Sequence, residues 1–229
     1  MRPYLIGIAG PSCSGKSEVS RRLARILRAP TLALDHYYRD LKHVSFEQRV
    51  GTNFDAPESL DSELIVDHVK QLKQGLAVQQ PCYDFANHVR AASTDVIQPA
   101  DYILVEGLFS LYWPELRQLL DFQIYITTDH ETCLARRIFR DVRERGRTEE
   151  SVRSQYEATV RPMAELYLAP TMQYADLVLA GVAPVKQSVY TILLHIAQRL
   201  TDPVRSGTVR QAIDIWHVAT ENSISEPGS

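Results

Sequence analysis

The segment Gly10-Pro11-Ser12-Cys13-Ser14-Gly15-Lys16-Ser17 fills the pattern G-x-x-x-x-G-K-[ST] at every defining place. It lies between a short apolar run, Tyr4–Ala9, and a stretch from Lys16 to Leu27 in which Val19, Leu23, Ile26 and Leu27 recur at helical spacing. Gly10 and Gly15 permit backbone angles that other residues avoid, so successive N–H groups can turn inward. The helix that follows adds its positive N-terminal end, and the result is a cradle for an anion. In such a cradle Lys16 meets the outer phosphates of a nucleoside triphosphate, and Ser17 takes the magnesium ion that bridges them. Pro11, Ser12, Cys13 and Ser14 fill the variable positions, where backbone groups do the binding. Cys13, close to a helix N-terminus, is either an unusually reactive thiol or a small filler.

Strand, glycine loop and helix are followed by more of the same alternation. Thr31–Leu34, Tyr102–Val105, Phe122–Thr127 and Leu177–Leu179 read as buried strands, and Asp61–Gln74, closed by Gly75, and Val185–Leu200 read as helices. Parallel strands need such crossovers, so the expected fold is α/β: a doubly wound, mainly parallel five-stranded sheet. The interval from Val78 to Pro99 breaks the rhythm and reads as a β-hairpin projecting from the sheet, placed where it could cover a ligand. One main domain over residues 1–200 is expected, with 201–229 as an appendage: a short docked element and a loose polar end.

Composition narrows the partners. The 229 residues carry a net charge of −3, so no global basic field draws the chain to nucleic acid or an anionic membrane. The longest apolar stretches are too short to cross a bilayer, and one of them contains Glu106. No cleavable leader is expected ahead of the loop, which predicts a cytoplasmic protein. Cys13, Cys82 and Cys133 are scattered and odd in number, and the histidines show no metal-ligand spacing, so neither a disulfide framework nor a zinc site is expected.

A triphosphate cradle serves hydrolases, kinases and passive sensors alike, and the discriminating residues must lie elsewhere. There is no N-K-x-D of a GTPase and no S-G-G of a transporter ATPase. Asp35 follows the second strand directly and should emerge at the carboxyl edge of the sheet, beside the loop. It could accept the proton of an acceptor hydroxyl, or it could cap the next turn. Glu106 ends an apolar strand, an expensive place for a charge unless it faces a cation; a metal-side role and a strand-end salt bridge both answer that. Six arginines occur in the twelve residues from Arg136 to Arg147. They form either an anion-binding lid over about 136–160, hinged at Gly146, or a solvated face satisfied by Asp141, Glu144, Glu149 and Glu150.

The segments "GIAGPSCSGKS", "LDHYYRD", "NFDAPESLD", "YDFANHVR", "ILVEGLFSLY", "RRIFRDVRERGR" and "ADLVL", in this order from about Tyr4 to Leu200, resemble the uridine kinases (uridine-cytidine kinases) of the P-loop kinase superfamily. The resemblance implies transfer of the ATP γ-phosphate, with Mg2+, to the 5'-hydroxyl of uridine or cytidine in pyrimidine salvage; GTP is an alternative donor. By position it implies that Asp35 is the catalytic base, that Tyr38 lies in the nucleoside pocket and that Asp55 holds the ribose hydroxyls. Tyr83, Phe85 and His88 would surround the base. Arg140 and Arg145 would reach the ATP phosphates, Arg137, Arg147 and Gln155 the acceptor side, and Glu106 the metal. Family members are commonly homotetramers, which sets the same expectation here. "PSC" is an unusual filling of the loop, and nothing after Leu200 takes part in the resemblance. Two readings compete: a related kinase with another small acceptor, as in phosphoribulokinase-like proteins, and an ATP-binding regulator without transfer.

Overall fold

The computed structural model describes residues 2–202, 205–207 and 209–214. Five strands form one sheet: β1 (Tyr4–Ala9), β2 (Thr31–Ala33), β5 (Tyr102–Glu106), β6 (Phe122–Thr127) and β7 (Leu177–Ala180). They run in the order β2-β5-β1-β6-β7, every pair parallel. This is the α/β architecture expected from the alternation of apolar runs. Successive side chains of a strand point to opposite faces, so a near-continuous apolar run implies a sheet covered on both sides. Leu5, Ile103 and Val105 enter a core with Ile65, Val69 and Leu72 of helix α3 (Ser62–Lys73). Ile6, Ile8, Leu104 and Ile124 enter a second core on the other face. There they meet Val19 and Leu23 of α1 (Lys16–Leu27) and Val189, Ile192, Leu193 and Ile196 of α8 (Val185–Arg199). Leu104 is fully buried on the strand next to the centre. Leu104→Ala is expected to cost about 2–5 kcal/mol of unfolding free energy, measured by denaturant titration.

Two boundaries differ from expectation in a way that matters for the site. The second strand stops at Ala33, and Leu34–Tyr37 forms a 3-10 turn. Leu34 is fully buried although it is not in a strand, which is why an apolar run could not reveal the end. The third apolar run, read as Tyr102–Val105, continues through Glu106, which sits in register with Ile8 on one side and Ala33 on the other.

The hairpin forms a separate two-stranded antiparallel sheet of β3 (Val78–Asp84) and β4 (Val89–Ile97), with a register shift between Pro81 and Tyr83. The short helix α2 (Phe46–Val50) follows the 3-10 turn, and α4 (Pro114–Arg117) follows β5. Helix α5 (His130–Arg145) is capped by the Asp129 side chain, which accepts from Thr132 N–H, and stops at Gly146 with φ 62°. After α6 (Glu149–Gln155) the chain continues through two π turns, Tyr156–Val160 and Ala164–Leu168, around the short α7 (Arg161–Met163). The interval 136–160 thus takes in most of α5, a left-handed turn, α6 and the first π turn. Within 201–229, Val209 is buried in the second core with Ile213 against it, and residues 215–229 lie outside the described residues. No described helix is long and apolar enough to cross a membrane.

Candidate active site

The loop between β1 and α1 has the backbone its glycines allow. Gly10 and Gly15 have φ of 152° and 101°, and Cys13 joins them at 65°, an uncommon angle for a residue with a side chain. A Cβ on Gly10 would run into the Ile126 carbonyl and lie 2.9 Å from Ser14 Oγ, so only glycine fits there. Arg136 donates to the carbonyls of Cys13 (3.3 Å), Ser14 (3.4 Å) and Gly181 (3.0 Å), and Thr128 Oγ1 donates to Ser14 O at 3.1 Å. The N–H and C=O of a trans peptide point oppositely, so the Gly15 N–H is turned away from Arg136. Ser14 Oγ is buried with no hydrogen-bond partner.

Lys16 and Ser17, at the start of α1, meet Glu106 at the end of β5. Ser17 Oγ donates to Glu106 Oε1 at 3.1 Å, and Lys16 Nζ is 3.8 Å from the same oxygen. Burial pushes the Glu106 carboxyl above its ordinary value; Lys16 works against this, and the nearby charge of Asp35 adds to it. The strand-end ion pair is therefore present. A hydroxyl and a buried carboxylate side by side also form a hard-oxygen pair of the kind that suits Mg2+ completed by substrate phosphates. Among the described residues no cluster of three or more His, Cys, Asp or Glu forms an all-protein metal cage.

Across the cleft, Asp35 sits exposed on the 3-10 turn, at the carboxyl edge of the sheet. The residue preceding that turn is Ala33, with no side-chain cap, so Asp35 is not spent as its N-cap. Asp55 is held by an Asx-type bond from its N–H to Asn53 Oδ1 at 3.1 Å. Its carboxyl is raised by burial, pulled back by Arg137 and raised again by Asp35. A group of rings lines the same cleft as these two carboxylates. Tyr38 lies 5.1 Å from Phe54 and 5.3 Å from Tyr83, Tyr83 lies 5.3 Å from Phe85, and Phe54 stacks on His88 at 4.8 Å and 18°. His88 holds a left-handed φ of 54° at the hairpin turn. Its imidazole is shifted down by burial, with Arg49 contributing and Asp84 opposing. The Tyr83 hydroxyl is buried and unpartnered. An unmet buried donor is costly, and a ligand group arriving there would satisfy it.

The arginine helix closes the third side, and one carboxylate organises it. Asp141 is fully buried. It lies 2.8 Å from Arg140 Nε, 3.5 Å from Arg147 Nη1, and 3.7 Å from both Arg137 Nε and Arg145 Nε. Its backbone carbonyl accepts from the N–H of Gly146 and, at 3.2 Å, of Arg147, which folds the chain back so that Arg147 rejoins the cluster. Arg137 also donates to Ser12 Oγ at 3.1 Å and to Gln155 Oε1 at 3.4 Å, and Arg147 donates to the same Gln155 oxygen at 2.5 Å. The alternative of a merely solvated face applies to Arg143, which lies over the exposed Phe139 ring at 4.0 Å. Of the acids expected to neutralise the run, Glu149 pairs with Arg153 instead.

Together these residues border one cleft of about 1580 Å³. That exceeds the ~300–1,000 Å³ of a usual single-ligand pocket and leaves room for a nucleotide and an acceptor. Ser12, Cys13, Gly15, Lys16, Ser17, Asp35, Tyr38, Asp55, Tyr83, Phe85, His88, Arg137, Arg140, Arg145, Arg147 and Gln155 all line it. Gly10, Pro11, Ser14 and Glu106 are not part of its lining. What sequence reasoning missed is Phe54, Asp141 as the arginines' hub, and the hold of Arg136 on the loop carbonyls. Asp141 had a signal in its four-residue spacing from Arg137 and Arg145; Arg136 stood in the arginine run, but nothing there tied it to the loop.

A family model described as "Phosphoribulokinase / Uridine kinase family" matches residues 5–188. A uridine kinase of Clostridium novyi (strain NT) is 40% identical over 205 residues, which is 88% of this chain and 99% of that protein. A uridine kinase of Macrococcus caseolyticus is 44% identical over 178 residues, 76% of this chain and 86% of that protein. The fold is shared with the D-glycerate 3-kinase of Cryptococcus neoformans, at a TM-score of 0.54 and 18% identity over 72% of this chain and 79% of that one. The chain belongs to the Phosphoribulokinase / Uridine kinase family.

Proposed function

We propose that this chain transfers the γ-phosphoryl group of ATP to the 5'-hydroxyl of uridine and of cytidine, giving UMP or CMP and ADP, a pyrimidine salvage reaction. The observation that carries the reading is a single cleft lined by the triphosphate cradle, by two carboxylates, Asp35 and Asp55, and by a group of aromatic rings. The uridine kinase relatives, aligned over most of the chain, point the same way.

In this reading the cradle and Lys16 hold the triphosphate with its γ-phosphorus toward the acceptor, and Asp55 takes the 2'- and 3'-hydroxyls of the ribose. Tyr83, Phe85 and His88 enclose the pyrimidine, while Phe54 backs His88 from behind. Asp35 accepts the proton of the 5'-hydroxyl as its oxygen bonds to the γ-phosphorus; the bond from that phosphorus to the β,γ-bridging oxygen breaks, and ADP leaves. Most of the rate comes from positioning and charge, because phosphoryl transfer asks little covalent chemistry of the protein. Arg140 and Arg145 meet the phosphates from above, and Arg137, Arg147 and Gln155 close the acceptor side against water. Ser17 and Glu106 would hold Mg2+, which supplies charge neutralisation on the phosphate oxygens. GTP fits as a second donor, since the cradle reads phosphates rather than the base. The reading also carries a cytoplasmic homotetramer, a state that sedimentation would measure.

The test is a panel of acceptors with ATP and magnesium, in which phosphorylated products are quantified. Uridine and cytidine are expected to yield monophosphates, with none from ribulose 5-phosphate or pantothenate. No product from either nucleoside would overturn the reading, and product from ribulose 5-phosphate alone would move the chain to the other branch of its family.

A further inference from the structure

Arg90, on β4 of the hairpin, lines neither cradle nor cleft, yet its side chain is spent on the turn that carries Asp35. Its Nε donates to Tyr38 O at 2.9 Å, and its Nη2 donates to Tyr37 O at 3.3 Å and to Asp61 Oδ2 at 3.0 Å. The same residue's N–H donates to Asp40 Oδ1 at 3.3 Å. The carbonyls of Tyr37 and Tyr38 stand at the C-terminal end of the 3-10 turn, where a helical segment runs out of internal donors and its dipole favours a cation. Arg90 supplies both the donors and the charge.

The neighbours of Arg90 extend the clamp. Asp61 divides its carboxylate between Arg90 and the first turn of α3, where Oδ1 accepts from Leu64 N–H at 3.3 Å. Its own N–H donates to Tyr37 O at 2.9 Å, and Tyr38 forms an isolated β-bridge with Leu60. In the hairpin, Arg90 stands directly opposite Tyr83, and the adjoining register shift falls between Pro81 and Tyr83. Opposed residues of an antiparallel pair share a face. That face therefore presses Tyr83 onto the Tyr38 ring, while Arg90 grips the Tyr38 backbone. The hairpin, the 3-10 turn and the start of α3 are joined at one half-buried guanidinium.

We infer that Arg90 is a positioning residue of the transfer: it locks the turn bearing Asp35 to the hairpin bearing the base pocket, so that base recognition sets the 5'-hydroxyl on the Asp35 carboxylate. The inference rests on the function proposed above and adds to it the device that joins recognition to chemistry. A hairpin freed from the turn would still enclose the pyrimidine. The hydroxyl would then sit off line, and a misplacement of about 1 Å costs on the order of 10²-fold in rate.

The experiment uses the full chain as wild type, Arg90→Met and Arg90→Lys. It measures uridine affinity by calorimetry, kcat and KM for uridine, the ratio of ADP to UMP formed, and thermal melting to fix the folded fraction. For Arg90→Met the expected result is kcat per folded molecule reduced ~10–10²-fold, uridine affinity within ~3-fold of wild type, and ADP formed in excess of UMP because water competes for the misaligned phosphoryl group. Arg90→Lys keeps a cation for Asp61 but cannot span both carbonyls, and is expected to fall between the two. A merely structural role would lower the folded fraction and leave the product ratio at one. Unchanged kcat per folded molecule, or affinity falling in step with kcat, would overturn the inference. Should Arg90→Met not fold, the product ratio and kcat of Arg90→Lys decide it by the same criteria. A wild type that makes no UMP would instead sink the function itself.

Discussion

Asp35→Asn is expected to lower turnover by at least ~10²-fold, the lower range for loss of a general base, while uridine binding stays within a few-fold of wild type. Asparagine keeps the shape of the side chain and leaves the 3-10 turn intact, because that turn takes no cap from Asp35. What it removes is the capacity to take a proton. Cradle, lysine and hydroxyl are untouched, so the KM for ATP should hold as well. The substitution has a second signature. The charge of Asp35 helps to raise the carboxyls of both Asp55 and Glu106. Without it both should ionise more easily, and the loss of uridine affinity on acidification should move to lower pH. Steady-state kinetics with calorimetry across pH reads both effects, and unchanged turnover would remove Asp35 from the role of base.

The parts of this site carried by contiguous residues are legible in the sequence. The cradle is one such part, since two glycines, a lysine and a serine at fixed spacing determine a local backbone. The strands were another, because an apolar run buried on both faces has a plain signature. Legibility failed where tertiary contacts make the decision. Leu34 is as buried as a strand residue while belonging to a turn. The arginine run offered several acids as partners, and only packing singled out Asp141, because burial of that one carboxylate draws in four guanidinium groups.

Two π turns interrupt the helix after α6, and each stands beside a proline. Each closes with an N–H from the residue just before a proline: Arg161 to Tyr156 O ahead of Pro162, and Ala169 to Ala164 O ahead of Pro170. Proline has no N–H to give the next carbonyl, so a widened turn beside it leaves the ladder less disrupted. The first of these turns begins directly after Gln155, which puts an irregular helix at the arginine cluster's edge, where π-bulges are often functional.

Asp55→Ala carries the second large effect, and it should fall on affinity rather than on turnover. A carboxylate accepting from both ribose hydroxyls makes two charge-assisted hydrogen bonds, each worth about 1.5–3 kcal/mol. Their joint loss should raise the KM for uridine ~10²-fold or more. Wild-type enzyme should discriminate strongly against 2'-deoxyuridine, because that substrate leaves a buried carboxylate oxygen without its donor. In Asp55→Ala the discrimination should largely vanish, since the group that sensed the hydroxyl has gone. The acid dependence supplies an independent check. Burial raises the Asp55 carboxyl, and only its ionised form can accept both hydroxyls. Wild-type uridine affinity should therefore decline as pH falls through a value above the ordinary aspartate range, and the alanine variant should show no such decline. A variant with unaltered KM, or one that still rejects the deoxynucleoside as wild type does, would take Asp55 away from the ribose.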